Sequence, residues 1–226
     1  WKVVLGGALA ILAVAAVSIG VLGWQVHEEF LASVLGNHLL GRLGMQDPFT
    51  VSFQSFDSLF RRLFIFDALS NPQPLAALPR LQSMGVPVTK ALILLAAAAA
   101  LIKLARRGTA AAAAPSIGLL GIVALLLAPA TATYHFVLLW LPVGLLINYF
   151  RLERAPAYAY FMLGAYALIG FFPYRYSVPF EGAGGLTVLA YPRLLVLLSM
   201  FIACAYFMWH RAEPAPLEWT RDAAAL

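Results

Sequence analysis

Six long apolar runs set the terms for this sequence: Val3–Trp24, Val86–Leu104, Ala110–Ala128, Phe136–Phe150, Pro156–Phe172 and Val188–Trp209. Crossing the roughly 30 Å hydrocarbon core of a bilayer takes about 20 apolar helical residues. Inside that core only helices and closed barrels satisfy every backbone polar group. Barrel strands are short and alternate apolar with polar residues, whereas these runs are of helix-spanning length, rich in Ala and Leu, and show no such alternation. The sequence therefore predicts an all-α polytopic membrane protein, a helical bundle of about six transmembrane helices. Charged residues make up only 11% of the chain, against about 25% in soluble domains.

The runs divide the chain into a transmembrane helix (1–24), an outward loop with interfacial helices (25–86), a five-helix bundle (87–209) and a polar tail (210–226). Arg106–Arg107, Arg151–Arg154 and His210–Arg211 fall on one side of such a bundle, and the positive-inside rule makes that side cytoplasmic. The segment 25–86, the turn 129–135 and the loop 174–187 then face outward together. The net charge of +5 lies mostly in loops, which suits membrane orientation and points to no nucleic-acid partner. The single cysteine, Cys204, forms no internal disulfide, and no ligand cluster implies a metal or another cofactor. The chain opens at Trp1 and runs directly into a span, so an incomplete N-terminus is expected.

The outward segments carry the residues with chemistry. Pro129 ends one apolar run, and Tyr134 and His135 stand at the mouth of the next. An ionisable group at membrane depth is costly unless it faces a polar cavity or a partner. Two readings follow: one wall of an active site, or a plain helix–turn–helix with His135 among headgroups. In the stretch Phe49–Phe66, Ser55 or Asp57 is placed to N-cap a helix through Leu59–Phe66. Gln54 and Ser55 offer neutral hydrogen-bonding groups suited to sugars and phosphates. Arg61 and Arg62 point about 100° apart on a helix, so one can bind an anion while the other meets anionic lipid headgroups. Arg193 is expected to snorkel to the outer headgroups, and Arg175 and Glu181 to pair across their loop.

The stretch Phe53-Gln54-Ser55-Phe56-Asp57-Ser58-Leu59-Phe60-Arg61-Arg62-Leu63-Phe64 resembles the Asn-Gln-Ser-Leu-x-x-Leu-x-Arg-Leu signature of polyprenol-phosphate-mannose-dependent α-1,2-mannosyltransferases, a bacterial GT-C family. Asn71-Pro72-x-Pro74-Leu75-Ala76-x-Leu78-Pro79 is similar to the loop that follows it there. Ala128-Pro129…Tyr134-His135-Phe136-Val137-Leu138-Leu139 resembles the family's Ser-Pro-x-x-Trp-x-His-His-x-Val-Leu-Leu segment. The likeness covers residues 25–150. Phe53, Ala128 and Tyr134 depart from the family pattern.

The resemblance implies a GT-C-like fold in a bacterial inner membrane. It also implies an inverting transfer of a hexose, mannose by the family's habit, from a polyprenyl-phosphate donor to a lipid or glycan acceptor. His135 is then the catalytic-site polar contact, and Gln54, Ser55, Arg61, Arg62 and Tyr134 bind donor or phosphate. The family's catalytic aspartate lies upstream of Trp1, and neither Asp47 nor Asp57 matches it. A second expectation is a non-catalytic membrane subunit or scaffold packed against a membrane protein partner. A small transporter is the third, disfavoured by the lack of carboxylates in the spans.

Overall fold

The computed structural model describes residues 2–39, 47–106 and 109–210. Among them the chain is all-helical. Two compact units divide it, Trp1–Gln46 and Asp47–Leu226. The expected outward loop 25–86 is thus split, and its second part belongs to the same unit as the bundle.

In the first unit, α1 (Lys2–Leu22) has 21 residues, about 31 Å at 1.5 Å per residue. No residue of its stretch Leu5–Leu22 is fully buried. Gly23 breaks it with a φ of +83°, a backbone conformation that costs glycine little. His27 ties the break together: one ring nitrogen meets Ser18 Oγ at 2.9 Å and Nδ1 meets the Gly23 carbonyl at 2.8 Å. Helix α2 (Trp24–Glu29), a π-helical stretch Phe30–Leu35 and α3 (Gly36–Leu39) follow. The surface helix expected over His27–Leu43 is helical as far as Leu39. Residues 40–43, and most of the turn expected at Gly44–Pro48, lie outside the described residues, as does the tail from Arg211.

The second unit begins with the short α4 (Phe56–Phe64) and continues through α5 (Pro79–Ala105), α6 (Thr109–Leu127), α7 (Trp140–Leu152), α8 (Pro156–Phe171) and α9 (Pro192–His210). Sequence-adjacent helices pack on one another, and α9 closes the bundle against α5, α6 and α8. Leu119, Ile122 and Leu126 of α6, Leu146 and Phe150 of α7, Met162 of α8 and Leu194 and Leu197 of α9 are fully buried. Lipid tails are as apolar as leucine, so close packing rather than water exclusion must hold such helices together. Small residues allow it: a Cβ at Gly118 would lie 2.6 Å from Leu146 Cγ, and one at Gly121 would overlap the Pro142 ring.

Among the described residues, four stretches are long and apolar enough to cross a membrane: Leu5–Leu22, Pro79–Ala105, Thr133–Leu152 and Pro192–His210. Ala112–Leu127 and Pro156–Phe171 are apolar but shorter. The protein is therefore an all-helical chain with the apolar helices of a membrane bundle. Three boundaries differ from expectation. Helix α5 starts at Pro79, where the sequence suggests a break, because proline at the first helical position needs no N–H and has its φ already set. The expected fourth and sixth spans both open in 3-10 turns, Thr133–Leu139 and Gly184–Ala190, before α-helix takes over.

Candidate functional site

Ser55 sets the site's geometry. It is the N-cap of α4, extended at φ −131° and ψ 161°, and its Oγ accepts the Ser58 N–H at 3.3 Å. The same hydroxyl donates to the Pro129 carbonyl at 2.8 Å. The helix start is thereby fastened to the turn that ends α6. Gln54 extends the connection. Its backbone N–H donates to Thr131 O at 2.9 Å, Nε2 donates to Val51 O and Ala190 O, and Oε1 accepts the Arg193 N–H at 3.1 Å. Ser58 Oγ and Tyr191 Oη lie 2.9 Å apart in the same buried layer. The 47–78 segment, the 128–139 turn and the 172–193 loop therefore meet at one end of the bundle, as their shared orientation predicts.

The two arginines of α4 have different fates. Arg62 is buried, donates from Nε to Phe49 O, and pairs through Nη2 with Glu181 Oε2 at 3.4 Å. The pair expected between Arg175 and Glu181 gives way to this one, because Glu181 serves a buried cation. Asn71, fully buried, donates to the carbonyls of Arg62 and Ile65 at 2.8 and 2.6 Å and so closes the C-terminal end of α4. Arg61 is half-buried and makes no hydrogen bond or ion pair among the described residues. Asp57, in the first turn of α4, lies 2.6 Å from Lys90 Nζ of α5. The contact pairs the charges, although Asp57 Oδ2 gains no well-aligned hydrogen bond from it.

His135 lies in a self-closing turn. Its backbone N–H donates to Ala132 O at 3.0 Å, and the Ala132 N–H donates back to His135 Nδ1 at 2.9 Å. An amide can only donate, so Nδ1 holds the lone pair and the ring proton sits on Nε2. This is the reciprocal arrangement of a capping box, with histidine in the place usually held by Glu or Gln. The Tyr134 ring lies 4.3 Å from the imidazole, centroid to centroid, and is exposed. Thr131 Oγ1 donates to Leu125 O at 2.9 Å and seals the end of α6.

Arg193 was expected among the outer headgroups and is instead buried. Its Nε donates to Ile169 O at 3.0 Å, Nη1 to Thr133 Oγ1 at 2.9 Å and Nη2 to Phe172 O at 2.9 Å. It binds the end of α8 to the turn carrying His135. Across the three segments Arg61, Arg62, Arg175 and Arg193 balance Asp47, Asp57, Asp67 and Glu181 in formal charge, and Lys90 of α5 adds one cation. Gln54, Ser55 and Arg62 thus hold the outer layer together, while Arg61, Tyr134 and His135 are the predicted residues with accessible surface. No group of His, Cys, Asp or Glu among the described residues is arranged to hold a metal ion. Sequence reasoning missed the burial of Arg193, the bonding role of Asn71 and the Asp57–Lys90 pair. An ionisable residue one position into an apolar helix was the available signal for the first. No family model matches the chain, and no curated protein or solved structure is significantly similar to it.

Proposed function

We propose that this chain is part of a membrane glycosyltransferase that moves a hexose, mannose in the simplest case, from a polyprenyl-phosphate donor to an acceptor outside a bacterial inner membrane. One observation carries the reading: three segments are joined at one bundle end, where Arg61 makes no hydrogen bond or ion pair among the described residues and His135, on the turn fastened to the start of α4, carries its ring proton on Nε2. Phosphate is released as charge grows on it during transfer, and fixed donors aimed at that charge lower the barrier. Arg61 supplies a permanent cation and His135 a neutral N–H donor. Gln54, Ser55, Arg62 and Arg193 hold the two in place without touching substrate. The GT-C-like fold and the outward orientation belong to the same proposal.

The test separates chemistry from folding. Glutamine at the capping-box position can accept the same Ala132 amide, so His135→Gln preserves the turn and removes the imidazole. In membranes carrying the full-length protein, His135→Gln should reduce transfer from radiolabelled polyprenyl-phosphate-mannose by at least a factor on the order of 100, as loss of one transition-state donor does elsewhere, with Tm unchanged. Unchanged transfer would remove His135 from the site. A scaffold role is the second reading. It is favoured by the internal use of Gln54, Ser55, Ser58, Arg62 and Asn71, and absence of transfer by the wild-type protein would support it.

A further inference from the structure

The opposite end of the bundle carries a second site, argued from different residues. Helix α7 ends in a turn whose Ala155 N–H donates to Phe150 O at 2.8 Å, six-to-one across the helix end. That is the Schellman closure, whose left-handed residue is usually glycine. Here it is Arg154, at φ +54°. Its guanidinium is exposed and has no hydrogen bond or ion pair among the described residues. An arginine therefore stands where the backbone favours glycine, and the turn gains nothing from its side chain.

That side chain opens onto a cleft of about 370 Å³ between the start of α8 and the end of α9. Arg154, Ala155, Tyr158, Tyr206, Phe207 and His210 line it. The floor is rigid and aromatic: the Tyr158 and Phe207 rings lie 4.8 Å apart, and Phe207 meets Phe150 edge-on at 5.0 Å. His210 is stacked on Tyr206 at 4.1 Å and its Nδ1 meets the Tyr206 carbonyl at 2.9 Å. Nδ1 therefore carries a proton, and the imidazolium form offers a second from Nε2. The N-cap of α8, Ala155, supplies no side-chain acceptor, and its carbonyl takes the Tyr158 N–H at 3.1 Å. No described lining residue is a carboxylate. Lys103 lies 4.7 Å over the Trp209 ring, so the basic end of α5 reaches the same level.

We propose that this cleft binds the phosphate of an anionic lipid headgroup. Arg154 and the imidazolium form of His210 recognise the phosphodiester, and the aromatic floor faces the glycerol and upper acyl carbons. The positive-inside rule puts this end in the cytoplasmic leaflet, where anionic lipids concentrate. The same chemistry would accept soluble phosphate, so the test compares both sources. Thermal unfolding of the detergent-purified full chain is followed with short-chain phosphatidylglycerol, short-chain phosphatidylcholine or inorganic phosphate.

Phosphatidylglycerol should raise Tm by several degrees and phosphatidylcholine by much less. Arg154→Gly should hold or raise the lipid-free Tm, because glycine suits the turn, while reducing the phosphatidylglycerol shift at least by half. His210→Ala, at an exposed position, should reduce that shift without lowering the lipid-free Tm. Equal shifts from the two lipids, or a full shift in both variants, would overturn the proposal. Stabilisation by inorganic phosphate equal to the lipid's would overturn the lipid assignment. Sugar transfer enters none of these readings.

Discussion

At the scale of single residues, buried polar side chains join segments that are far apart in sequence. Arg193 satisfies Ile169 O, Phe172 O and Thr133 Oγ1 together. An orphaned buried acceptor costs about 1–3 kcal/mol. Arg193→Leu should therefore cost about 3 kcal/mol or more, while Thr133→Val, which removes one acceptor, should cost about 1 kcal/mol. Thermal unfolding in detergent ranks the two, and equal effects would show that the carbonyl contacts of Arg193 are not stabilising. The Ser55 cap was legible in the sequence because capping is local: a small hydroxyl residue directly precedes the helical pattern. The burial of Arg193 was not. Its acceptors lie more than twenty residues away or across the bundle, and no local pattern announces them. The roles of Gln54 and Arg62 in joining segments were hidden for the same reason.

At the scale of elements, hydropathy gave the number and order of the apolar helices, and the errors fall at their ends. Pro79 reads as a breaker by composition and acts as a starter by position. Helix contact depends on features hydropathy does not weigh. Gly121 lies against Pro142, whereas Gly144 faces open space. Alanine is favoured over glycine in a helix by about 1 kcal/mol, and overpacking costs about 1–3 kcal/mol. Gly144→Ala should therefore raise Tm and Gly121→Ala lower it. Two increases would mean that α6 and α7 separate easily, contrary to the packing described. The same close approach fixes α4 on α5, where a Cβ at Gly85 would overlap the Phe60 ring.

At the scale of the molecule, the second unit has two chemically distinct ends. One gathers α4, the 128–139 turn and the 172–193 loop through Gln54, Ser55 and Arg193. The other sets Arg154 and His210 at an aromatic floor, with Lys103 over the Trp209 ring at the same end. The sequence's charge distribution foretold this division, since loop cations and polar turns alternate along the chain. The accessible chemistry of the first end was only partly foretold, because burial removed Gln54, Ser55 and Arg62 from the surface and left Arg61, Tyr134 and His135. The most direct measurement is photocrosslinking of the full protein in lipid vesicles with a polyprenyl phosphate bearing a diazirine near its phosphate. The account predicts labelled peptides within residues 54–64 and 129–139, competed away by unlabelled polyprenyl phosphate. Labelling confined to residues 150–158 and the end of α9, or labelling that unlabelled lipid does not compete, would contradict it.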